Sequence, residues 1–120
     1  MLTIDALDAY GADTRAGLAR CLNNERFYLG LVEMLMNDAR FDTLCAAVEN
    51  MDTLLALHTA YALSETASSL AINPLAQQFE QMILCLQLQG DSAMLEKQLR
   101  IIRTGMEKLR MIDKIGRAHV

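Results

Sequence analysis

LLALHTAYALSETASSLAINPL, residues 54–75, carries two stripes of different chemistry at helical spacing. The first stripe is apolar, and its members alternate by four and three positions, so they share one narrow face of a helix. It consists of Ala56, Ala60, Leu63, Ala67 and Leu70. The second stripe is mostly polar and follows the same rhythm on another face. It consists of Leu54, His58, Tyr61, Glu65 and Ser68. The stretch therefore predicts a helix that buries the first stripe and exposes the second.

Further amphipathic segments lie on both sides of this helix, separated by short polar breaks. Polar residues that favour helix N-termini precede several of them, because their side-chain oxygens accept hydrogen bonds from unpaired backbone N–H groups. We predict N-caps at Asp13, Asp52, Asn73 and Asp91, and helix ends at Gly11 and Gly90. The predicted helices span residues 4–10, 14–22, 25–36, 40–49, 53–71 and 74–89, with a last helix from residue 92.

Composition and segment pattern together predict the fold class. The chain is rich in Ala, Leu, Met and Gln and has one proline, a composition that favours helices because unbranched side chains lose little rotamer freedom there. Helices with apolar seams and short connections can bury those seams only against one another. We predict an all-α, antiparallel four-helix bundle with short extra N-terminal helices, forming a single domain over residues 1–113.

The last seven residues, KIGRAHV, have no core periodicity. This segment also resembles the translation of a sequencing-adapter read-through. We therefore expect residues 114–120 to be an unstructured tail, of artefactual origin, and we leave His119 out of the functional argument.

Charge is distributed unevenly along the chain. Residues 1–90 carry four Lys/Arg against eleven Asp/Glu, whereas residues 91–120 carry seven against four. The basic C-terminal part lacks interleaved aromatic residues and any known nucleic-acid-binding motif, so we expect a solvated helix face and no nucleic-acid partner. The chain has no apolar run long enough to cross a membrane and no basic, apolar leader at its start. We expect a cytoplasmic protein without a membrane partner.

Motifs for cofactor or metal chemistry are absent from the sequence. It contains no Gly-rich phosphate loop, no nucleophile elbow and no His-Glu-x-x-His motif. The cysteines are Cys21, Cys45 and Cys85, and their odd number and wide spacing argue against a disulfide framework or a zinc knuckle. We predict buried, unreactive thiols, no metal and no cofactor.

Three local phrases carry a resemblance to a known family. GLARCLNNERFYLGLVEML, residues 17–35, is similar to the first bundle segment of histidine phosphotransfer (HPt) domains of bacterial phosphorelays. That family commonly has an aspartate nine residues before its phospho-accepting histidine and a Leu-x-Pro-Leu phrase beginning eleven residues after it. Asp52 lies nine residues before Tyr61, and Ile72-Asn73-Pro74-Leu75 begins eleven residues after it. The chain thus resembles an HPt domain over about residues 10–110.

The resemblance places substitutions at the family's reactive positions. The phrase Ala-His-x-Leu-Lys-Gly becomes Ala60-Tyr61-Ala62-Leu63-Ser64-Glu65, so Tyr61 stands at the histidine, Ser64 at the lysine and Glu65 at the glycine. A phenol with an ordinary pKa of about 10 is a poor nucleophile at neutral pH. Ser64 removes a positive charge, and Glu65 adds bulk and a negative charge where the moving phosphoryl group would pass. We expect no phosphotransfer through Tyr61.

The resemblance implies a module of two-component signalling whose partner is a response-regulator receiver domain or a sensor histidine kinase. Our main hypothesis is a non-catalytic, HPt-like module that binds a receiver domain through the face formed by Leu54, His58, Tyr61, Glu65 and Ser68. Two alternatives stay open. One is active phosphotransfer through His58, which lies one turn before Tyr61 on the same stripe. The other is a structural or oligomerising helical domain unrelated to phosphorelays.

Overall fold

Helices account for most of the chain in a computed structural model, which describes residues 1–118, with side chains to residue 115. No strand occurs among the described residues. The helices are α1 (Ile4–Tyr10), α2 (Thr14–Arg20), α3 (Glu25–Met36), α4 (Arg40–Glu49), α5 (Thr53–Ser69), α6 (Asn73–Gln87) and α7 (Ser92–Ala118). These helices and the absence of strands among the described residues confirm the all-α class. The described chain is compact, with a Cα radius of gyration of 14.7 Å.

Helix α5 packs against α4 on one side and α6 on the other. Its predicted apolar seam is buried, and three of the five seam residues are alanines, which let neighbouring helices approach closely. The predicted cap is also present, because an Asp52 carboxylate oxygen accepts a hydrogen bond from the backbone N–H of Leu55 at 3.2 Å. The sequence pattern therefore predicts both the start and the buried face of this helix.

Helix α7 completes the core by packing against α6 and by contacting α3 and α4. Its cap is Asp91, whose carboxylate accepts from the N–H of Met94 at 2.9 Å. Both α6 and α7 bury a row of apolar residues at four-and-three spacing: Leu75, Phe79, Met82 and Leu86 in α6, and Leu95, Leu99, Ile102, Met106 and Leu109 in α7.

The expectation of an unstructured tail is wrong for residues 114–118. Helix α7 continues to Ala118, although Ile115 is half exposed and adds little to the core. Extending an existing helix needs no core contact, because each added residue closes one more backbone hydrogen bond. Residues 119 and 120, including His119, lie outside the described residues.

Two predicted helix boundaries differ in detail around α5 and α6. Ala71 has φ 57°, so α5 ends at Ser69 and does not reach Ala71. Asn73 is the first residue of α6 and forms no side-chain cap; Ile72 occupies the capping position. The N–H of Ile72 donates to Ala67 O, and its carbonyl accepts from the N–H of Ala76, so one residue ends α5 and begins α6. The connection is too short for a separate asparagine cap.

The end of α6 also differs from the prediction, which placed the helix-terminating residue at Gly90. The left-handed residue is Gln89, with φ 55°, while the N–H of Gly90 donates to Cys85 O at 2.9 Å. This bond closes the helix in the Schellman arrangement. Gln89 therefore has a left-handed backbone conformation, which glycine adopts without steric cost but which is unfavourable for a residue with a Cβ.

We predict that Gln89→Gly stabilises the protein by about 0.5–1 kcal/mol, because it relieves the left-handed strain of a residue with a Cβ. The matched control is Gln81→Gly, an exposed glutamine in the regular part of α6, which should lose about 1 kcal/mol. Urea unfolding followed by circular dichroism measures both. A loss of stability in Gln89→Gly would contradict this account of the helix end.

The buried ring of Tyr28 joins three helices. Its side chain is fully buried, and its hydroxyl donates to Leu70 O at 2.8 Å, which connects α3 to the end of α5. Burial raises the pKa of Tyr28 to about 12, so the phenol stays neutral and keeps its proton for this bond. Gly17 of α2 lies against the ring, and a Cβ there would stand 2.4 Å from a Tyr28 ring carbon. Packing against Tyr28 thus requires glycine at position 17.

Gly17→Ala should destabilise the protein by about 1–3 kcal/mol, since the added methyl group overlaps a buried ring that has no room to move. Gly30 provides the matched control, because a Cβ at this helical position would meet no atom within 4 Å. Gly30→Ala should stabilise by about 0.5–1 kcal/mol through helix propensity. Equal effects of the two substitutions in thermal unfolding would contradict the packing argument.

Candidate functional site

The predicted second stripe of α5 lies on the surface. Leu54 is 80% exposed and Tyr61 48% exposed, and His58, Glu65 and Ser68 are exposed as well. We call these five residues the α5 face. Because a helix rises 1.5 Å per residue, the face is about 21 Å long. The structure therefore brings all five predicted partner-binding residues together on one surface.

Tyr61 lies at the middle of the α5 face and is held by α6. Its hydroxyl oxygen accepts a hydrogen bond from the side-chain amide of Gln87 at 2.7 Å. Within the described residues, neither a carboxylate nor an imidazole contacts this hydroxyl through a hydrogen bond. The contact orients the ring but supplies no general base that would activate the phenol.

His58 lies one turn before Tyr61 on the same face. Among the described residues it forms no hydrogen bond or ion pair, and it is exposed to solvent. The imidazole therefore lacks the positioning partner that usually fixes the tautomer of a catalytic histidine.

Ser64, which the resemblance places at the family's lysine, is only 8% exposed. It lies one position beyond the seam residue Leu63, on the side of α5 that turns toward the core. Glu65 is exposed. The α5 face therefore presents a carboxylate at the position where the resemblance places a glycine, next to the position of the family's lysine.

Arg20 lies next to the α5 face, although no motif in the sequence pointed to it. One guanidinium nitrogen of Arg20 donates to Ser68 O and to Ser69 O, each at 2.8 Å. Arg20 also lines a shallow concavity of about 490 Å³ together with Tyr61, Ser64 and Glu65. A signal was present in the sequence, because Arg20 is one of only four cations in residues 1–90 and ends its helix. The partner carbonyls, however, are 48 and 49 residues away.

A second concavity, of about 970 Å³, separates α3 from α5 and borders the α5 face at Glu65. Its polar wall is built by Arg40, which donates to Thr66 Oγ1 at 3.0 Å and pairs with Asp38 at 2.6 Å. The hydrogen bonds from Arg40 lower the pKa of Asp38. Gly30 and Met34 form part of the opposite wall, where Met34 is 70% exposed. This concavity extends the recessed surface next to the α5 face.

Metal and thiol chemistry find no support at these surfaces. Among the described residues, no group of three His, Cys, Asp or Glu side chains could hold a metal ion. All three cysteines are free; Cys21 is buried as predicted, whereas Cys45 and Cys85 are partly exposed. Burial raises the pKa of the Cys45 thiol, which lowers its reactivity.

No family model, no curated protein and no solved structure matches this chain. Within the described residues, no helix is long and apolar enough to cross a membrane.

We predict that Arg20→Ala destabilises the protein by about 1–2 kcal/mol, because two carbonyls at the end of α5 lose a charged donor. Arg26→Ala is the matched control: this exposed arginine on α3 forms no hydrogen bond or ion pair within the described residues and should change stability by less than about 0.5 kcal/mol. Guanidinium unfolding of both variants checks the difference. Equal small effects would show that Arg20 is not needed to end α5.

Proposed function

We propose that this chain is a non-catalytic, HPt-like module of a bacterial two-component phosphorelay, located in the cytoplasm, that binds a response-regulator receiver domain through the α5 face. The observation that carries the proposal is the joint exposure of Leu54, His58, Tyr61, Glu65 and Ser68 on one helix whose opposite seam is buried. A long exposed face with an aromatic residue at its centre suits a protein interface, where tyrosines are common anchors.

The proposed architecture is an HPt-like, antiparallel four-helix bundle made of α4, α5, α6 and α7. Its support is the packing of each helix on the next along the chain, with α7 in contact with α4. Short connections, such as residues 70–72 between α5 and α6, favour antiparallel neighbours. The bond between Tyr61 and Gln87 adds a side-chain contact between α5 and α6.

Three features in and beside the α5 face support a role in binding without catalysis. The residue at the proposed acceptor position is a phenol without a base, since within the described residues the Tyr61 hydroxyl bonds to the Gln87 amide and to no carboxylate or imidazole. The proposed lysine position is occupied by Ser64, which is neutral and buried. The nearby Arg20 is engaged with two backbone carbonyls and makes no ion pair with Glu65. Developing negative charge on a phosphoryl group would therefore meet a carboxylate and no free cation.

The binding test uses purified protein and receiver domains encoded in the same genome, titrated by fluorescence anisotropy. Tyr61→Ala should weaken binding to the cognate receiver at least about tenfold, because truncating a central aromatic anchor commonly costs more than 1 kcal/mol. Phe27→Ala is the matched control, since Phe27 is an exposed aromatic residue on α3, outside the face. It should bind like the unmodified protein.

Two outcomes would contradict the proposal. Equal binding by both variants would exclude docking through the α5 face, and absence of binding to any receiver would leave a structural or oligomerising helical domain. A phosphotransfer assay with labelled phospho-receiver separates the remaining alternative. We expect no label on this chain. An acid-labile label lost only in His58→Gln would show active phosphotransfer through His58, which the exposure of that imidazole would permit.

A further inference from the structure

A groove rich in positive charge lies where α1, α6 and α7 meet, and no residue of α5 lines it. Its volume is about 690 Å³. Three cations of α7 border it, namely Lys97, Arg100 and Lys108, and the space between them is lined by Ile101 and Thr104. No acidic residue is among the groove's described lining. These features set the groove apart from the α5 face, which carries a carboxylate.

The three cations are not neutralised by the protein itself. Within the described residues, none of Lys97, Arg100 and Lys108 forms an ion pair. All three side chains are exposed, so they can reorient toward a bound anion. Residues 91–120 carry seven Lys/Arg and four Asp/Glu, whereas the whole chain has a net charge of −4.

The shape of the groove is maintained by a close contact between helices. The Tyr10 hydroxyl of α1 donates to Gly105 O at 2.8 Å. A Cβ at Gly105 would stand 2.4 Å from the side-chain oxygen of Gln78, so the absence of a side chain there admits the Gln78 amide between α6 and α7. That oxygen is buried and accepts no hydrogen bond within the described residues. The wall of the groove is therefore formed by fixed helix contacts and not by a loop.

The spacing of the cations defines what the groove can accommodate. Lys97 and Arg100 are neighbours on one turn, whereas Lys108 lies about 16 Å from Lys97 along the axis, at 1.5 Å per residue. Ile101, which is 41% exposed, lies between the two ends. An extended peptide covers about 3.3 Å per residue, so about five residues span this distance. A ligand that fits has negative charge at both ends and an apolar group near its middle.

We propose that this groove binds a short acidic segment of a partner protein, with carboxylates at its two ends facing Lys97/Arg100 and Lys108 and an apolar side chain against Ile101. A short peptide suits the charge pattern better than a long nucleic acid. A long polyanion would also meet the rest of the chain, where eleven Asp/Glu oppose four Lys/Arg over residues 1–90. This site goes beyond the proposed receiver-binding function and does not depend on it.

The test measures fluorescence anisotropy of three labelled probes with the full chain at low salt. The probes are the acidic peptide EEGLGEE, the basic peptide KKGLGKK and a short oligodeoxythymidylate. The acidic peptide should bind saturably with a Kd below about 1 mM, and binding should weaken with added salt because exposed charges are screened within about 10 Å at 0.1 M ionic strength. The basic peptide should not bind.

A charge-reversing substitution tests whether the acidic peptide binds in the groove. Arg100→Glu should weaken binding of the acidic peptide about tenfold, because it replaces attraction by repulsion at the crowded end of the groove. The matched control, Arg26→Glu, changes the total charge equally on exposed α3 and should stay within about twofold. Unchanged circular dichroism of both variants shows that they remain folded.

Three results would overturn the proposal. The first is absence of acidic-peptide binding at 1 mM, the upper limit set by about −4 kcal/mol of binding free energy. The second is an equal loss in Arg100→Glu and Arg26→Glu, which would reflect the charge of the whole chain. The third is tighter binding of the oligodeoxythymidylate than of the acidic peptide, which would indicate a nucleic-acid surface.

Discussion

The end of α5 is the point on which the rest of the structure depends. A helix leaves its last four carbonyls without partners inside the helix, and a buried end needs partners from elsewhere. The chain directly after α5 supplies some of them, because the N–H groups of Leu70, Ala71 and Ile72 donate to Thr66 O, Ser68 O and Ala67 O. The N-terminal third of the chain supplies further donors: Arg20 for Ser68 O and Ser69 O, Tyr28 for Leu70 O, and the backbone N–H of Asp13 for Ala71 O. The short N-terminal helices therefore fix the end of the central helix as well as cover the core.

This arrangement explains why α5 can expose a polar face while remaining well placed. Its start is capped by Asp52 and its buried seam is packed between α4 and α6. Its end is held by donors from α2 and α3, so the position of the helix does not depend on a partner bound at the face. The α5 face is left available for a partner because the structural requirements of the helix are met on its other side and at its ends.

Local signals in the sequence predict a large part of this fold. Four-and-three spacing identifies the buried seams, and aspartates before α5 and α7 identify their caps, because both patterns depend on neighbouring residues alone. The left-handed turns at Ala71 and Gln89 and the role of Arg20 could not be predicted in this way. Arg20 bonds to carbonyls 48 and 49 residues away, and the Ala71 carbonyl accepts from the N–H of Asp13. Neither alanine nor glutamine is a usual residue for a left-handed helix end, so these two positions gave no signal in the sequence. The exposure of the α5 face followed from periodicity, whereas the burial of Ser64 depended on how the helix is rotated against its neighbours.

The two proposed surfaces differ in charge, and this difference constrains how they work together. The α5 face carries Glu65, and the neighbouring Arg20 is occupied by backbone carbonyls. The groove on α7 carries three unpaired cations and no lining carboxylate. An acidic segment would therefore be attracted to α7 and repelled from α5, so the two partners would not compete for one site. A module with two such surfaces needs no reactive residue, because its function would be to hold two partners on one rigid helical body.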